Sequence, residues 1–138
     1  MSTFRKIPDF EEIPHKADAA LIVYGFDLPE LFIHAAQGMY HIMGIIGKYH
    51  PKTPDSIALQ AFDNESMLVS FLSELLFLAE KNLKTEIVEL RIEDNNINAR
   101  IFKTPVTSIA KEIKAVTFNE MKIFMQDDIY QTKIVFDI

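Results

Sequence analysis

The chain has 138 residues and a mass of 15.9 kDa, and no Pro-, Gly- or Ser-rich stretch divides it, so we predict a single domain over 1–138. The 14 Lys and Arg residues against 20 Asp and Glu residues give a net charge of -6, which argues against binding a nucleic acid backbone through bulk positive charge. The sequence contains no cysteine, which excludes disulfides, thiolate zinc sites, iron-sulfur clusters and cysteine nucleophiles.

The first predicted elements are a strand over 20–24 and a helix that follows it. Asp27 offers an N-cap carboxylate, Pro29 is tolerated in the first helical turn, and Glu30 occupies the capping-box position. Gly44 and Gly47 end the segment. The apolar residues of this helix recur on one face: Leu31, Phe32, Ala35, Ala36, Met39, Ile42 and Met43.

A strand over 57–62 leads into a second predicted helix, which opens at Asp63 and runs to about Lys81. Pro51 and Pro54 bound the loop before that strand. The apolar stripe of the second helix is wide, so we expect it to be well buried. Its members are Met67, Leu68, Phe71, Leu72, Leu75, Leu76 and Ala79.

The remaining chain is predicted to form strands, with Asn95 and Asn96 as a hairpin turn, Pro105 in a connection, and Asp127-Asp128 as the last turn. The predicted strands cover 86–92, 97–102, 113–118, 122–125 and 130–136. Helices and a run of strands are therefore segregated along the chain. This order predicts an α+β fold in which two helices pack on one face of a mostly antiparallel β-sheet.

Familiar catalytic motifs are missing, so we expect a protein that is not an enzyme. The stretch from Gly44 to Lys48 superficially resembles a phosphate-binding loop, but its glycines are too close and it lies at a helix end. His34 and His41 are seven residues apart, too far along a helix to hold one ion by themselves, and we expect both to be partly exposed. His50 is expected in a solvated loop. A metal-dependent phosphohydrolase is an alternative without a recognisable general base.

Two acidic positions suggest a cation site. Asp18 interrupts an apolar approach to a core strand, where a carboxylate needs a partner or a cation. At the other end, Asp137 and the α-carboxylate of Ile138 place hard oxygen ligands one residue apart, although a fraying terminus is the alternative. Lys111 and Lys114 lie three residues apart, and therefore on opposite faces of the predicted strand, so one of them can face a site.

The residues that open the chain, 1–9, lack the apolar core of a signal peptide. The longest apolar-rich run, 67–79, is interrupted by two serines and a glutamate and is shorter than the ~20 residues needed to span a bilayer. We therefore expect a cytoplasmic protein without a membrane partner.

Five motifs, taken in order, closely resemble the archease family over nearly the whole chain. They are His15-Lys-Ala-Asp18, Tyr24-Gly25, the helix segment 71–77, the strand 112–118 and the ending 135–138. The resemblance implies a small α+β protein that activates an RtcB-type, GTP-dependent RNA ligase in tRNA splicing and RNA repair. It further implies that the protein promotes guanylylation and multiple turnover of the ligase, as a cofactor rather than an enzyme, with tRNA engaged only indirectly.

The resemblance also assigns residues. It implies that Asp18, Asp137 and Ile138 bind a divalent metal ion, with calcium the usual ion, and that Lys114, Asp137 and His15 serve activation of the partner. The chain departs from the common family pattern at Lys16, Ser70, Phe71 and Asn119. These departures affect the expected partner contacts and leave the metal set intact.

A second functional class stays open on the sequence. A stand-alone chaperone or adaptor would bind its clients through an exposed helix face. In that case Phe32, Tyr40 and Tyr49 would matter more than the acidic end of the sheet.

Overall fold

The computed structural model describes residues 7–15 and 18–138, and the first six residues, Lys16 and Ala17 lie outside it. Within these residues the chain forms two helices, α1 (Leu28–Met43) and α2 (Asn64–Glu80), and nine strands. The strands are β1 (Phe10–Ile13), β2 (Ala19–Gly25), β3 (Ile46–Gly47), β4 (Thr53–Gln60), β5 (Leu83–Glu93), β6 (Asn96–Ser108), β7 (Ala115–Thr117), β8 (Phe124–Gln126) and β9 (Ile129–Asp137).

Both predicted helices are confirmed, and their caps explain where they begin. The Asp27 carboxylate accepts the backbone N–H of Glu30 at 2.8 Å, and the Asp63 carboxylate accepts that of Ser66 at 2.8 Å. Glu30 accepts the N–H of Phe26 at 3.0 Å, one residue before the N-cap. Gly44 ends α1 in the left-handed conformation, φ 56°, which glycine adopts without a steric penalty.

The strands divide between two sheets in which every pair is antiparallel. One sheet has the order β1-β2-β9-β7, with β8 also paired to β9, and the other has the order β3-β6-β4, with β5 also paired to β6. The α+β class is confirmed, whereas the division into two sheets was not predicted. It arises from pairings between distant segments, which local sequence patterns do not encode.

The hydrophobic core contains residues from both helices and both sheets. All the apolar residues predicted to face inward from α1 and α2 are buried. Phe32 of α1 and Phe71 of α2 meet with their ring centroids 5.9 Å apart, and Phe136 of β9 and Ile97 of β6 are fully buried in the same cluster. Helix α1 therefore lies over the sheet that contains β9. The domain boundaries 1–138 stay a prediction.

Several strand predictions were wrong in their extent, and Pro105 is the clearest case. It lies inside β6 rather than in a connection, at a point where the pairing with β4 has stopped at Lys103 and the pairing with β3 starts at Val106. Proline lacks an N–H group, so this gap in the ladder accommodates it. Its carbonyl accepts the N–H of Lys48 at 2.9 Å.

Other strand boundaries also differ from the predicted ones, because pairing with neighbouring strands decides where a strand begins and ends. The strand expected at 57–62 begins at Thr53, because its first residues pair with β6. The first hairpin turn lies at Asp94 and Asn95, both with positive φ, one residue earlier than expected, while the turn at Asp127-Asp128 is confirmed. Lys111 and Lys114 both precede β7, so their predicted opposition across one strand is wrong.

Candidate functional site

The candidate site is built at the end of β9, the strand that occupies the interior of the first sheet. Ala19 of β2 pairs with Phe136 of β9, and continuing this register by one residue places Asp18 opposite Asp137. Directly opposed residues in an antiparallel pair lie on the same face of the sheet. The two carboxylates that are far apart in sequence are thus neighbours by register.

Strand β7 brings Lys114 to the other side of the same strand end. Ala115 pairs with Asp137, and the N–H of Lys114 donates to the carbonyl oxygen of Asp137 at 2.7 Å. Ile138 is half-buried and packs against the core. Asp137 is therefore held in the sheet, and Ile138 is held by its packing against the core. We call Asp18, Lys114, Asp137 and Ile138 the strand-end group.

A charged network that the sequence did not reveal adjoins the strand-end group. The Nδ1 atom of His15 lies 3.5 Å from an oxygen of Asp18, and its Nε2 atom lies 3.3 Å from Glu120. Glu120 also accepts a bond from the Lys133 ammonium at 3.0 Å. The hydrogen bonds from Lys133 and then from His15 lower the pKa of the Glu120 carboxyl, because they favour its ionised form.

Glu120 and Lys133 were missed because the segment that carries Glu120 is irregular, with a positive φ of 61°. The alternation of β9 did hold a signal for Lys133, because residues 133, 135 and 137 share one face of a strand. Asn119, one of the departures from the family pattern, donates its N–H to Thr117 Oγ1 at 3.3 Å in the same segment.

The ligand chemistry of this site suits a hard cation, and one atom suggests an unmet interaction. The buried Nδ1 atom of His15 lies 3.5 Å from Asp18 and makes no hydrogen bond to any residue that the structure describes. The carboxylates of Asp18 and Asp137 are oxygen ligands of the kind that calcium takes. Across 7–15 and 18–138, however, no three His, Cys, Asp or Glu side chains converge as a metal-binding group. A cation here would thus depend on a further oxygen, such as the Ile138 carboxylate.

The remaining histidines lie elsewhere. His34 and His41 are partly exposed on α1, as expected, with side-chain exposures of 16% and 61%. His34 Nδ1 is 2.7 Å from the Tyr24 carbonyl oxygen, which explains its lower exposure. His50 is exposed and contacts the Tyr49 ring edge-on, with ring centroids 4.5 Å apart.

The aromatic residues proposed for an exposed helix face do not form one. Phe32 is fully buried, so its assignment to a client-binding surface is wrong. Tyr40 is half-buried and its hydroxyl accepts the N–H of Thr85 at 3.1 Å. Tyr49 is 78% exposed but lies in the loop after β3. Of the helix-two departures, Ser70 is exposed and Phe71 belongs to the core.

The fold and the strand-end group define a small α+β protein with two helices over antiparallel sheets and charged groups gathered at one strand end. Residues 10–138 match the model of the Archease protein family. The chain belongs to this family. No helix within the described residues has the length and apolar character needed to cross a membrane.

Individual relatives agree with this assignment. The chain is 31% identical to a protein archease of Methanosarcina acetivorans over 139 aligned positions, and 32% identical to that of Methanosarcina barkeri over 142; each alignment covers 94% of this chain and 95% of the relative. The crystal structure of an archease, described as a possible chaperone, from Thermotoga maritima has a TM-score of 0.72 with 21% identity and covers 100% of both chains. That likeness concerns the fold.

Proposed function

We propose that this protein is a non-enzymatic cofactor that activates an RtcB-type, GTP-dependent RNA ligase by promoting its guanylylation and multiple turnover. Membership of the archease family supports a chaperone-like cofactor role in RNA ligation. The finer proposal is supported by the register that sets Asp18 opposite Asp137, and by the hydrogen bond from the Lys114 N–H to the Asp137 carbonyl oxygen. The partner is the ligase, and the protein acts in the cytoplasm.

The proposal assigns a divalent cation, calcium, to Asp18, Asp137 and the carboxylate of Ile138. When bound, such an ion supplies concentrated positive charge that attracts phosphate or carboxylate groups. The protein as a whole carries a charge of -6, so it would engage tRNA only indirectly. A local site at a strand end lets an acidic protein approach a phosphate-handling active site of the ligase.

Each residue has a distinct part in this proposal. Asp18 and Asp137 offer oxygen ligands from two neighbouring strands. His15 stands 3.5 Å from Asp18 and is itself tied to Glu120, so it limits the orientations open to the Asp18 carboxylate. Lys114 adds a compact exposed cation on the β7 side. The rigid pairing around β9 keeps these groups together without a ligand.

The test is the rate of nucleotidyl transfer from GTP to purified, folded ligase, with and without this protein. Asp137→Asn keeps the shape of the side chain and removes its charge, so we expect stimulation to be lost. The matched control is Asp127→Asn, which removes the same charge from the turn before β9, where asparagine also tolerates the positive φ of 53°. Lys111→Ala is the corresponding control for Lys114→Ala.

The same assay separates the activator from a general chaperone. Prevention of aggregation of an unrelated protein should not depend on Asp137 or Lys114, because a chaperone acts through exposed apolar surface. Full stimulation of the ligase by Asp137→Asn would contradict the proposal. A second pair of results would also contradict it: the wild type and the variant protect the unrelated protein equally, and neither changes the rate of nucleotidyl transfer.

A further inference from the structure

A second place in the molecule, separate from the strand-end group, has the properties of a ligand site. A cavity of about 930 Å³ lies between α1, the segment 44–52 and β5. Small-molecule sites in proteins have volumes of roughly 300–1,000 Å³. Its walls include the aliphatic side chains of Ile33, Ile45 and Ile87 and the rings of Tyr40 and Tyr49. We call it the lysine cavity.

The charges of this cavity are opposite to those of the whole protein. Three lysines, Lys48, Lys52 and Lys84, line it together with one glutamate, Glu86. The Lys52 ammonium lies 2.9 Å from a carboxylate oxygen of Glu86, so this ion pair compensates its charge. Within the described chain, Lys48 and Lys84 have no acidic partner within ion-pair distance. Two lysines without an ion-pair partner therefore lie on the wall of one concave surface of an acidic protein.

Thr85 lines the cavity beside Lys84 and carries a buried hydroxyl group. Its side chain is buried, with 4% of the residue exposed, and its Oγ1 atom has no hydrogen-bond partner among the described residues. Buried hydroxyl groups are normally paired, because an unmet donor or acceptor is unfavourable. The backbone N–H of Thr85 is already bound by the Tyr40 hydroxyl. The Oγ1 atom has almost no exposed surface, so the hydroxyl does not face a ligand in the cavity, and the lysines supply the polar contacts.

The backbone holds the lysines at close quarters. A Cβ atom at Gly47 would lie 2.8 Å from Thr104 Oγ1 and 3.3 Å from Lys84 Cδ, so only glycine lets these groups approach. The N–H of Lys48 is anchored by the Pro105 carbonyl at 2.9 Å. The close approach of β3 to β6 thus fixes the base of Lys48 beside the stem of Lys84.

We propose that the lysine cavity binds a small phosphate-bearing molecule with a planar ring, of the nucleoside monophosphate type. Lys48 and Lys84 would pair with the phosphate. The ring would lie against the aliphatic wall and the Tyr49 side chain, which is 78% exposed and presents a stacking surface. This is not a phosphate-binding loop of the nucleotide-hydrolase kind, because the lysine side chains rather than successive backbone N–H groups supply the positive charge.

Binding is measured by NMR titration of the isotope-labelled protein with adenosine 5′-monophosphate, and in parallel with adenosine and with inorganic phosphate. We expect saturable shifts at the amides of Lys48, Lys84 and Thr85 with the monophosphate, and at least about tenfold weaker binding of adenosine and phosphate, because each lacks one half of the contacts. Lys84→Ala should weaken binding by about tenfold or more.

The matched control is Lys81→Ala, which removes the same charge from a side chain that lies over the Phe77 ring and outside the cavity. Its affinity for the monophosphate should equal that of the wild type. Absence of saturable shifts at millimolar monophosphate would overturn the proposal. Equal losses in Lys81→Ala and Lys84→Ala would overturn it too, because they would indicate nonspecific charge attraction. Phosphate alone binding as tightly as the monophosphate would overturn the assignment of a ring.

Discussion

The strand-end group and the lysine cavity position charge in different ways. At the strand end, backbone register places Asp18 opposite Asp137, a backbone hydrogen bond ties Lys114 to Asp137, and Asp137 and Lys114 are exposed. In the cavity, Lys84 is half-buried, and the packing of α1 and β3 against β5 decides what surrounds it. The net charge of -6 reveals neither arrangement, because the net charge of a protein says little about the charge at a local site.

The largest expected effect concerns the function assigned to the strand-end group. Asp137→Ala and Lys114→Ala should each lower stimulation of ligase guanylylation by at least about tenfold, in the range seen when groups supporting a metal site are removed. If both residues serve one step, the double variant should be little worse than either single variant. Thermal unfolding should change little, since both side chains are exposed.

Lys84→Ala provides the contrast for that prediction. It should leave ligase stimulation unchanged, because Lys84 lies in the lysine cavity and not in the strand-end group. If Lys84→Ala and Lys114→Ala lower ligase stimulation by comparable factors, the two regions act as one functional surface.

Calcium provides the next largest effect. If Asp18 and Asp137 hold the ion only in the folded state, calcium at a hundred times its Kd should stabilise the protein by about 2.7 kcal/mol. Differential scanning calorimetry with and without calcium measures this stabilisation. Asp18→Ala should abolish it, and Asp127→Asn should retain it. A wild-type protein that calcium does not stabilise would remove the cation from the proposal and leave only the charged residues.

A substitution at Gly47 probes the other region. Gly47→Ala should destabilise the fold by about 1–2 kcal/mol, because the new methyl group meets Thr104 Oγ1 at 2.8 Å in a closely packed place. Urea unfolding gives the stability change, and the guanylylation assay should show normal stimulation. Unchanged stability would mean that β3 and β6 can separate, and that the close approach beside Lys84 is not fixed.

The smallest expected effect is a pH dependence. The folded state lowers the pKa of Glu120 from its ordinary value of 4.5, chiefly through Lys133. A lowered carboxyl pKa contributes stability that is present above pH 4.5 and is lost as the pH falls through the folded value. Glu120→Gln should therefore be less stable than the wild type at neutral pH, and the difference in unfolding free energy should shrink as the pH falls. Urea unfolding at a series of pH values measures this difference. A difference that persists unchanged in acid would assign the effect to shape rather than charge.

Local signals in the sequence determined the helices. Asp27, Asp63 and Gly44 are caps whose geometry depends on neighbours a few residues away, and the apolar stripes between them have helical spacing. The β8–β9 turn at Asp127-Asp128 is equally local. Because these signals are local, the helices and this turn were predicted nearly to the residue.

Only the tertiary structure decided which strands pair and where they end. Pro105 belongs to β6 because two partners leave a gap for it, β1 and β3 exist through pairing with β2 and β6, and Phe32 is buried by contact with Phe71. The sequence by itself determined that Asp18 and Asp137 stand out as acidic residues beside apolar strands. Three features depend on contacts between distant segments, which no local pattern records: the adjacency of the two aspartates, the link from Glu120 to His15, and the position of Lys48 and Lys84 on one cavity wall.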